Sequence, residues 1–147
     1  MSATGLEVFD RTLQTTNIWL KEISAEIGPD RQTAWAVLGA VLRTLRDRLP
    51  VPLAAHLSAE LPLLIRGSFY DRYQPARQPS QINKAEEFME AVNAGLDGQR
   101  PIDTDQAIRA VFHVLGKHIP PGEYEKVCSA LPESIRRLCA GESASVH

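Results

Sequence analysis

Histidine, cysteine, carboxylate and arginine are the side chains that could do chemistry in this chain, and their spacing limits what that chemistry is. His113 and Lys117 stand four residues apart with Arg109 one turn earlier, so on a helix they form one solvated basic stripe. His118 lies five residues from His113, which does not bring the two rings onto one helical face. His56 reads as a surface residue of a short helix, and His147 falls in the tail. No carboxylate or cysteine stands where it would complete a tetrahedral zinc site with them, so no metal is expected. Cys128 and Cys139 lie in apolar-periodic segments and read as reduced, buried thiols acting as small hydrophobes, with no disulfide. A nucleophilic Cys128 would need a base and an electropositive setting, and the preceding Glu125 and Lys126 point elsewhere on the helix. Neither G-x-S-x-G, nor a phosphate-cradling glycine loop, nor H-E-x-x-H occurs. Glu86, Glu87 and Glu90 sit in a first helical turn, where negative charge suits the helix dipole. No catalytic residue and no cofactor is expected, and the protein is read as not an enzyme.

One stretch is unusual. "RGSFYDRY", residues 66–73, gathers Arg66, Phe69, Tyr70, Arg72 and Tyr73 just before a proline-rich segment. Arginine with tyrosine is the mixture enriched in binding hot spots. Two readings follow. Phe69 and Tyr70 could seal the end of a core while Tyr73 clamps the following segment onto it. Alternatively Arg66, Tyr70, Arg72 and Tyr73 line a surface that grips a partner or an anionic small ligand.

The elements that must position these residues are helical. Alanine, leucine, glutamate and arginine dominate, and no sustained period-two run of β-branched and aromatic residues occurs. Thr4 and Glu7 make a capping box for a first helix whose stripe is Phe9, Leu13, Thr16, Leu20, Ile23 and Ile27, ended by Gly28-Pro29. Asp30 caps a second, with Ala34, Val37, Leu38, Val41, Leu42 and Leu45 inward and Arg43, Arg46 and Asp47 outside the stripe. Pro50 stops it, Pro52 opens a third, and Pro62 starts a fourth running to about Ser68, because proline inside a helix costs about 3 kcal/mol. Residues 71–82 read as an extended surface linker. "NKAE" at 83–86 and "DTDQ" at 103–106 are capping boxes for two further long helices, one carrying Phe88, Met89, Val92 and Leu96, the other Ala107, Ile108, Val111, Phe112, Leu115 and Ile119. Short helices at 123–131 and 132–139 complete the set, and 141–147 read as a disordered tail.

With 147 residues the chain is long enough for one well-buried core without metals or disulfides. Sixteen basic against eighteen acidic residues leave a net charge of −2, which gives no general attraction to nucleic acid or to an anionic membrane. No apolar run approaches a membrane span, and the start lacks the pattern of a secretory signal, so the cytoplasm is the expected compartment.

The chain also resembles itself. Slid by 70 residues, Leu38 meets Ile108, Val41 meets Val111, Leu45 meets Leu115, Leu49-Pro50 meets Ile119-Pro120, Leu61-Pro62 meets Leu131-Pro132, and Ile65-Arg66 meets Ile135-Arg136. The matched positions are core positions and helix stops, as duplication of a packing unit would leave them. The expected architecture is therefore an all-α bundle, a single domain over 1–140, in which two four-helix repeats (about 5–70 and 83–140) pack with approximate twofold pseudo-symmetry. The second half carries "IRRLCAG" where the first carries the aromatic cluster, so that cluster belongs to one half only.

"AVLGAVLRTLRDRLPVPLAAHLSAELPLLIRGSFYDRYQP" resembles the bacterial family called domain of unknown function 2267, and the likeness runs from about Asn17 to Cys139. The shared pattern is a long helix, "LRDRLP", an alanine-rich helix, "LP", then "RG" with aromatics. Tyr73 stands where the family pattern leads one to expect tryptophan, so the resemblance carries over no role that needs an indole N–H. The resemblance implies a small, helical, bacterial, cytoplasmic protein and carries over no activity. The expected function is a non-catalytic protein–protein interaction module, binding another protein or itself. The alternative is a small-molecule or sensory domain with a pocket between the two halves. Nucleic acid is not expected as a partner, since the basic residues are spread out.

Overall fold

A computed structural model describes residues 3–96, 98 and 101–141. Among them are eight α-helices, one 3-10 turn at Pro75–Arg77 and no strand. The helices are α1 Glu7–Ile27, α2 Arg31–Arg48, α3 Val51–Ala59, α4 Leu63–Tyr70, α5 Ala85–Gly95, α6 Thr104–His118, α7 Pro121–Ser129 and α8 Glu133–Cys139. Of the expected tail, only Gly141 lies within the described residues.

Proline sets the helix boundaries. Pro50, Pro62, Pro120 and Pro132 each occupy an N-cap position, where a fixed φ is suited to the helix start and a missing N–H leaves nothing unsatisfied. Asp30 accepts from the Gln32 and Thr33 amides to open α2, and Asp103 accepts from Gln106 to open α6. Two expected caps are displaced. Gly5 takes a left-handed conformation, φ +84°, which folds the chain back so that the Thr4 amide and hydroxyl both donate to Asp10 (3.1 and 2.9 Å) rather than the residue capping with Glu7. Glu7 instead pairs with Arg11 at 2.5 Å. At α5 the reaching carboxylate is Glu87, not Glu86; it accepts from the Asn83 and Lys84 amides, both at 3.0 Å.

The two central helices, α2 and α6, face each other, and α1 and α5 each lie against both. α4 packs on α2, and α8 packs on α6. One continuous apolar core joins residues of all eight helices, with Trp19, Phe69, Phe88 and Phe112 as its largest members. Gly95 permits a close crossing of α5 over α2: a Cβ there would stand 3.2 Å from the Ala40 methyl. Short polar side chains also join helices that are far apart in sequence. Thr12 of α1 accepts the Leu64 amide at the start of α4, and Ser134 of α8 accepts the Ala85 amide at the start of α5, both at 3.0 Å.

The stripe expected for α1 is buried only in its second half. Thr16, Leu20 and Ile23 are buried, but Phe9 and Leu13 are 48% and 42% exposed, because none of the described helices covers that side of the first turns of α1. Arg46, expected outside the buried stripe of α2, is 3% exposed, since the end of α4 and the segment after it cover that side of the helix.

Leu131, between α7 and α8, is 2% exposed and belongs to the core. Leu131→Ala is expected to lower the unfolding free energy by about 2–5 kcal/mol in urea denaturation. A change below about 0.5 kcal/mol would contradict its placement.

Candidate functional site

The last two turns of α2 and the chain after α4 build the most polar part of the fold. The Arg46 guanidinium enters the interior, donating from Nη1 to the carbonyls of Phe69 (2.8 Å) and Asp71 (2.7 Å) and from Nε to the Asp47 carboxylate (2.8 Å). Its central carbon lies 4.9 Å from the centre of the Tyr73 ring, a cation–π arrangement. The Tyr73 hydroxyl donates to Gln78 Oε1, and Gln78 Nε2 donates to the carbonyls of Arg46 (2.7 Å) and Leu49 (2.5 Å). Those carbonyls close α2, which would otherwise present unsatisfied acceptors. The Ser80 amide donates to the Asp47 carbonyl (2.7 Å), and Arg48 Nε donates to that of Ile82 (2.5 Å). The segment expected to be an extended surface linker is thus bonded along the end of α2. Tyr73 is a hydroxyl donor in this network, and burial holds that hydroxyl above its ordinary pKa.

The four residues singled out in "RGSFYDRY" divide into two groups. Arg66 donates to the carbonyls of Ser58 (2.8 Å) and Leu61 (2.9 Å), closing the turn between α3 and α4. Tyr70 donates to Ser58 Oγ (2.7 Å), with its ring 5.2 Å from Phe69 and 5.5 Å from Tyr73. The polar groups of Arg66, Tyr70 and Tyr73 therefore serve the fold. Arg72 does not: it sits at φ +56°, is exposed, and makes no ion pair among the described residues. Arg72 borders a recess of about 290 Å³ between α2, α5 and the segment after α4, together with Arg43, Asp47, Asp71 and Ser80. Arg77 and Gln74 extend it into an adjoining recess of about 260 Å³. Ser80 Oγ is buried there with no hydrogen-bond partner among the described residues. Burial pulls the Arg43 guanidinium below its ordinary pKa, and the Asp71 charge opposes that.

The basic stripe of α6 is solvent-exposed, as expected, and it pairs with carboxylates of α1. His113 Nδ1 meets Glu26 at 2.9 Å, Lys117 meets Glu22 at 2.5 Å, and His118, stacked on Trp19 with ring centres 5.1 Å apart, also meets Glu22. Burial pushes the Glu22 pKa up, but the hydrogen bonds and charges of His118 and Lys117 outweigh it, so the carboxyl lies below its ordinary value. His56 is exposed on α3. No group of three His, Cys, Asp or Glu among the described residues could hold a metal ion, and none of their helices is long and apolar enough to cross a membrane.

A second candidate is apolar. The projecting turns of α1 carry Val8, Phe9 and Leu13, and α4 presents Leu63 and Leu64 beside them; all five are between 42% and 56% exposed. Val8, Thr12, Thr15, Leu61, Pro62 and Leu63 line a groove of about 330 Å³, with Arg11 and Glu60 on its margin. Sequence reasoning had placed Phe9 and Leu13 inside. A signal was present nonetheless: 70 residues beyond Leu63-Leu64 stand Glu133-Ser134, so the apolar pair is peculiar to the first half.

Residues 16–138 match the family model described as an uncharacterized conserved protein, DUF2267, and the chain belongs to that family. The projecting turns of α1 largely precede the matched stretch. No curated protein matches the chain.

Proposed function

We propose that the protein is a non-catalytic interaction module that pairs with a second copy of itself through the projecting turns of α1 and the exposed side of α4. The observation that carries this is the surface of Val8, Phe9, Leu13, Leu63 and Leu64, in which α1 keeps its apolar stripe beyond the core. Five half-exposed side chains of this size offer apolar area on the order of 400–500 Å², the size of the largest patch on an ordinary monomer, which is often functional. The surface combines a ridge, α1, with a groove between α1 and the α3–α4 turn. A twofold axis would seat the ridge of each copy in the groove of the other, satisfying both with one set of contacts. Arg11 and Glu60 then form a polar margin around an apolar centre.

The same proposal takes the chain as two four-helix units of about 70 residues related by an approximate twofold. Supporting this, α3 and α4 recur 70 residues later as α7 and α8, and α1 lies on α6 as α5 lies on α2. Arg136 donates to the Leu131 carbonyl at 3.0 Å much as Arg66 does to that of Leu61. A bacterial, cytoplasmic setting accords with the family resemblance and with two free cysteines.

A second reading, a domain that binds a small anion, is favoured by the recess beside Arg72 and Arg77. Neither arginine makes an ion pair among the described residues, and the unpartnered Ser80 hydroxyl lies between them and α2. Titration calorimetry with inorganic phosphate would then show saturable binding that the double variant Arg72→Gln, Arg77→Gln abolishes. No heat up to about 10 mM phosphate would exclude it.

For the pairing itself, sedimentation equilibrium is expected to give twice the 16.2 kDa chain mass at micromolar concentration. Phe9→Glu and Leu63→Glu are expected to give monomers of unchanged helix content, since both positions lie outside the core. A wild-type protein that stays monomeric to about 100 μM would overturn it.

A further inference from the structure

The two recesses at the end of α2 adjoin, and Arg46, Asp47, Arg72 and Ser80 border both. The first, about 290 Å³, lies between α2 and α5 and has an apolar side made by Ala40, Ile82, Ala91 and Gly95. The second, about 260 Å³, is bordered by polar residues alone, with Gln74 and Arg77 completing it. Four arginines and two aspartates surround the pair, a net charge of +2. Two of the arginines serve the fold. Arg43 Nη1 donates to the Ser68 carbonyl (3.2 Å) and Oγ (3.0 Å), and Arg46 donates to the carbonyls of Phe69 and Asp71 and to the Asp47 carboxylate. Arg72 and Arg77 make no ion pair among the described residues.

Those two cations stand on an anchored backbone. Arg46 holds the Asp71 carbonyl and the Tyr73 amide donates to the Tyr70 carbonyl at 3.2 Å, so Arg72 lies between two fixed neighbours. It does so at φ +56°, a conformation that costs a residue other than glycine free energy. Arg77 closes the 3-10 turn, its amide donating to the Gln74 carbonyl at 3.0 Å, and the next residue, Gln78, is bonded to the end of α2. Ser80 brings a third donor. Its amide is held by the Asp47 carbonyl at 2.7 Å, while its Oγ is buried without a partner among the described residues. A buried hydroxyl left unpaired destabilises the fold unless a bound group completes it. One hydroxyl and two guanidinium groups without ion pairs are donors suited to phosphate oxygens. The net charge of +2 matches a phosphomonoester, which is largely a dianion near pH 7.

We propose that the joined recesses bind a phosphomonoester of an aromatic or other compact apolar group, its phosphate at Arg72, Arg77 and Ser80 and its apolar part against Ala40, Ile82, Ala91 and Gly95. This rests on the anion-binding reading above and adds to it the class of ligand. A cavity of about 150 Å³ holds benzene, so the first recess has room for one ring. The cations hold the phosphate whatever it is attached to, and the apolar side of the first recess is what separates an aryl ester from the free ion. Asp47 and Asp71 on the border of that recess disfavour a second anionic group on the apolar part.

The test is titration calorimetry of the intact chain with inorganic phosphate, phenyl phosphate and benzenesulfonate. Phenyl phosphate is expected to bind at least about tenfold tighter than inorganic phosphate, through burial of its ring. It is also expected to bind at least about tenfold tighter than benzenesulfonate, which has the ring but a single charge. The double variant Arg72→Gln, Arg77→Gln is expected to abolish phenyl phosphate binding. Ala91→Leu, which fills the first recess, is expected to remove most of the preference for phenyl phosphate over inorganic phosphate. Circular dichroism checks that each variant is folded, and the comparison of ligands on the wild type needs no variant. A phosphotyrosine peptide separates the two sources of such a group: affinity no better than that of phenyl phosphate indicates a free small molecule, and a gain of about tenfold or more indicates a protein segment. Inorganic phosphate that binds while phenyl phosphate binds no tighter would overturn this inference and leave the anion-binding reading standing. No heat from either ligand up to about 10 mM, or phenyl phosphate binding that survives the double arginine change, would overturn both. None of these outcomes depends on whether the protein pairs through α1 and α4.

Discussion

The buried guanidinium of Arg46 is the constraint on which the rest of this structure depends. A charge taken out of water must be met on every side, or the fold bears its full desolvation penalty. Arg46 is met by two carbonyls at the end of α4, by the Asp47 carboxylate and by the face of Tyr73. None of these partners can move without leaving the charge unpaired. The end of α4 is therefore tied to α2, and Tyr73, through Gln78, ties the following segment to the last carbonyls of α2. Ser80 and Ile82 continue the attachment up to the start of α5. One ion thus sets the path by which the chain passes from its first four helices to its last four.

This shapes where binding can occur. The arginines and tyrosines nearest the clamp hold carbonyls and hydroxyls of the fold, while Arg72 and Arg77 stand beside a recess with no ion pair among the described residues. The more apolar accessible feature lies at the first turns of α1 and the outer side of α4, where Val8, Phe9, Leu13, Leu63 and Leu64 are half-exposed. Desolvating such a face is favourable for any partner of matching shape. Glu133-Ser134 stand where an equivalent leucine pair would, so the second half does not repeat this face.

Much of the fold was legible in the sequence because it depends on local rules. Proline stops, aspartate caps and three-to-four spacing report directly on the backbone, and they locate the helices to within a few residues. What the sequence does not carry is the length of the neighbour. Phe9 and Leu13 continue the stripe of Leu20 and Ile23, and only the extent of the facing helices decides that they remain exposed. Arg46 shows the converse. It lies off the apolar stripe of α2, and its burial depends on carbonyls more than twenty residues further on. The α6 stripe of His113 and Lys117 reads as solvated and is, but only with α1 laid beside it do Glu22 and Glu26 stand one turn apart as its partners.

The measurement that bears most directly on this account is the thermal unfolding of Tyr73→Ala. If Tyr73 clamps the chain over Arg46, losing the cation–π contact and the Gln78 bond is expected to remove about 2 kcal/mol and lower Tm by roughly 4–8 °C, while the association state is unchanged. A Tm within about one degree of the wild type would show that the arginine–tyrosine cluster is not what holds the two parts of the chain together.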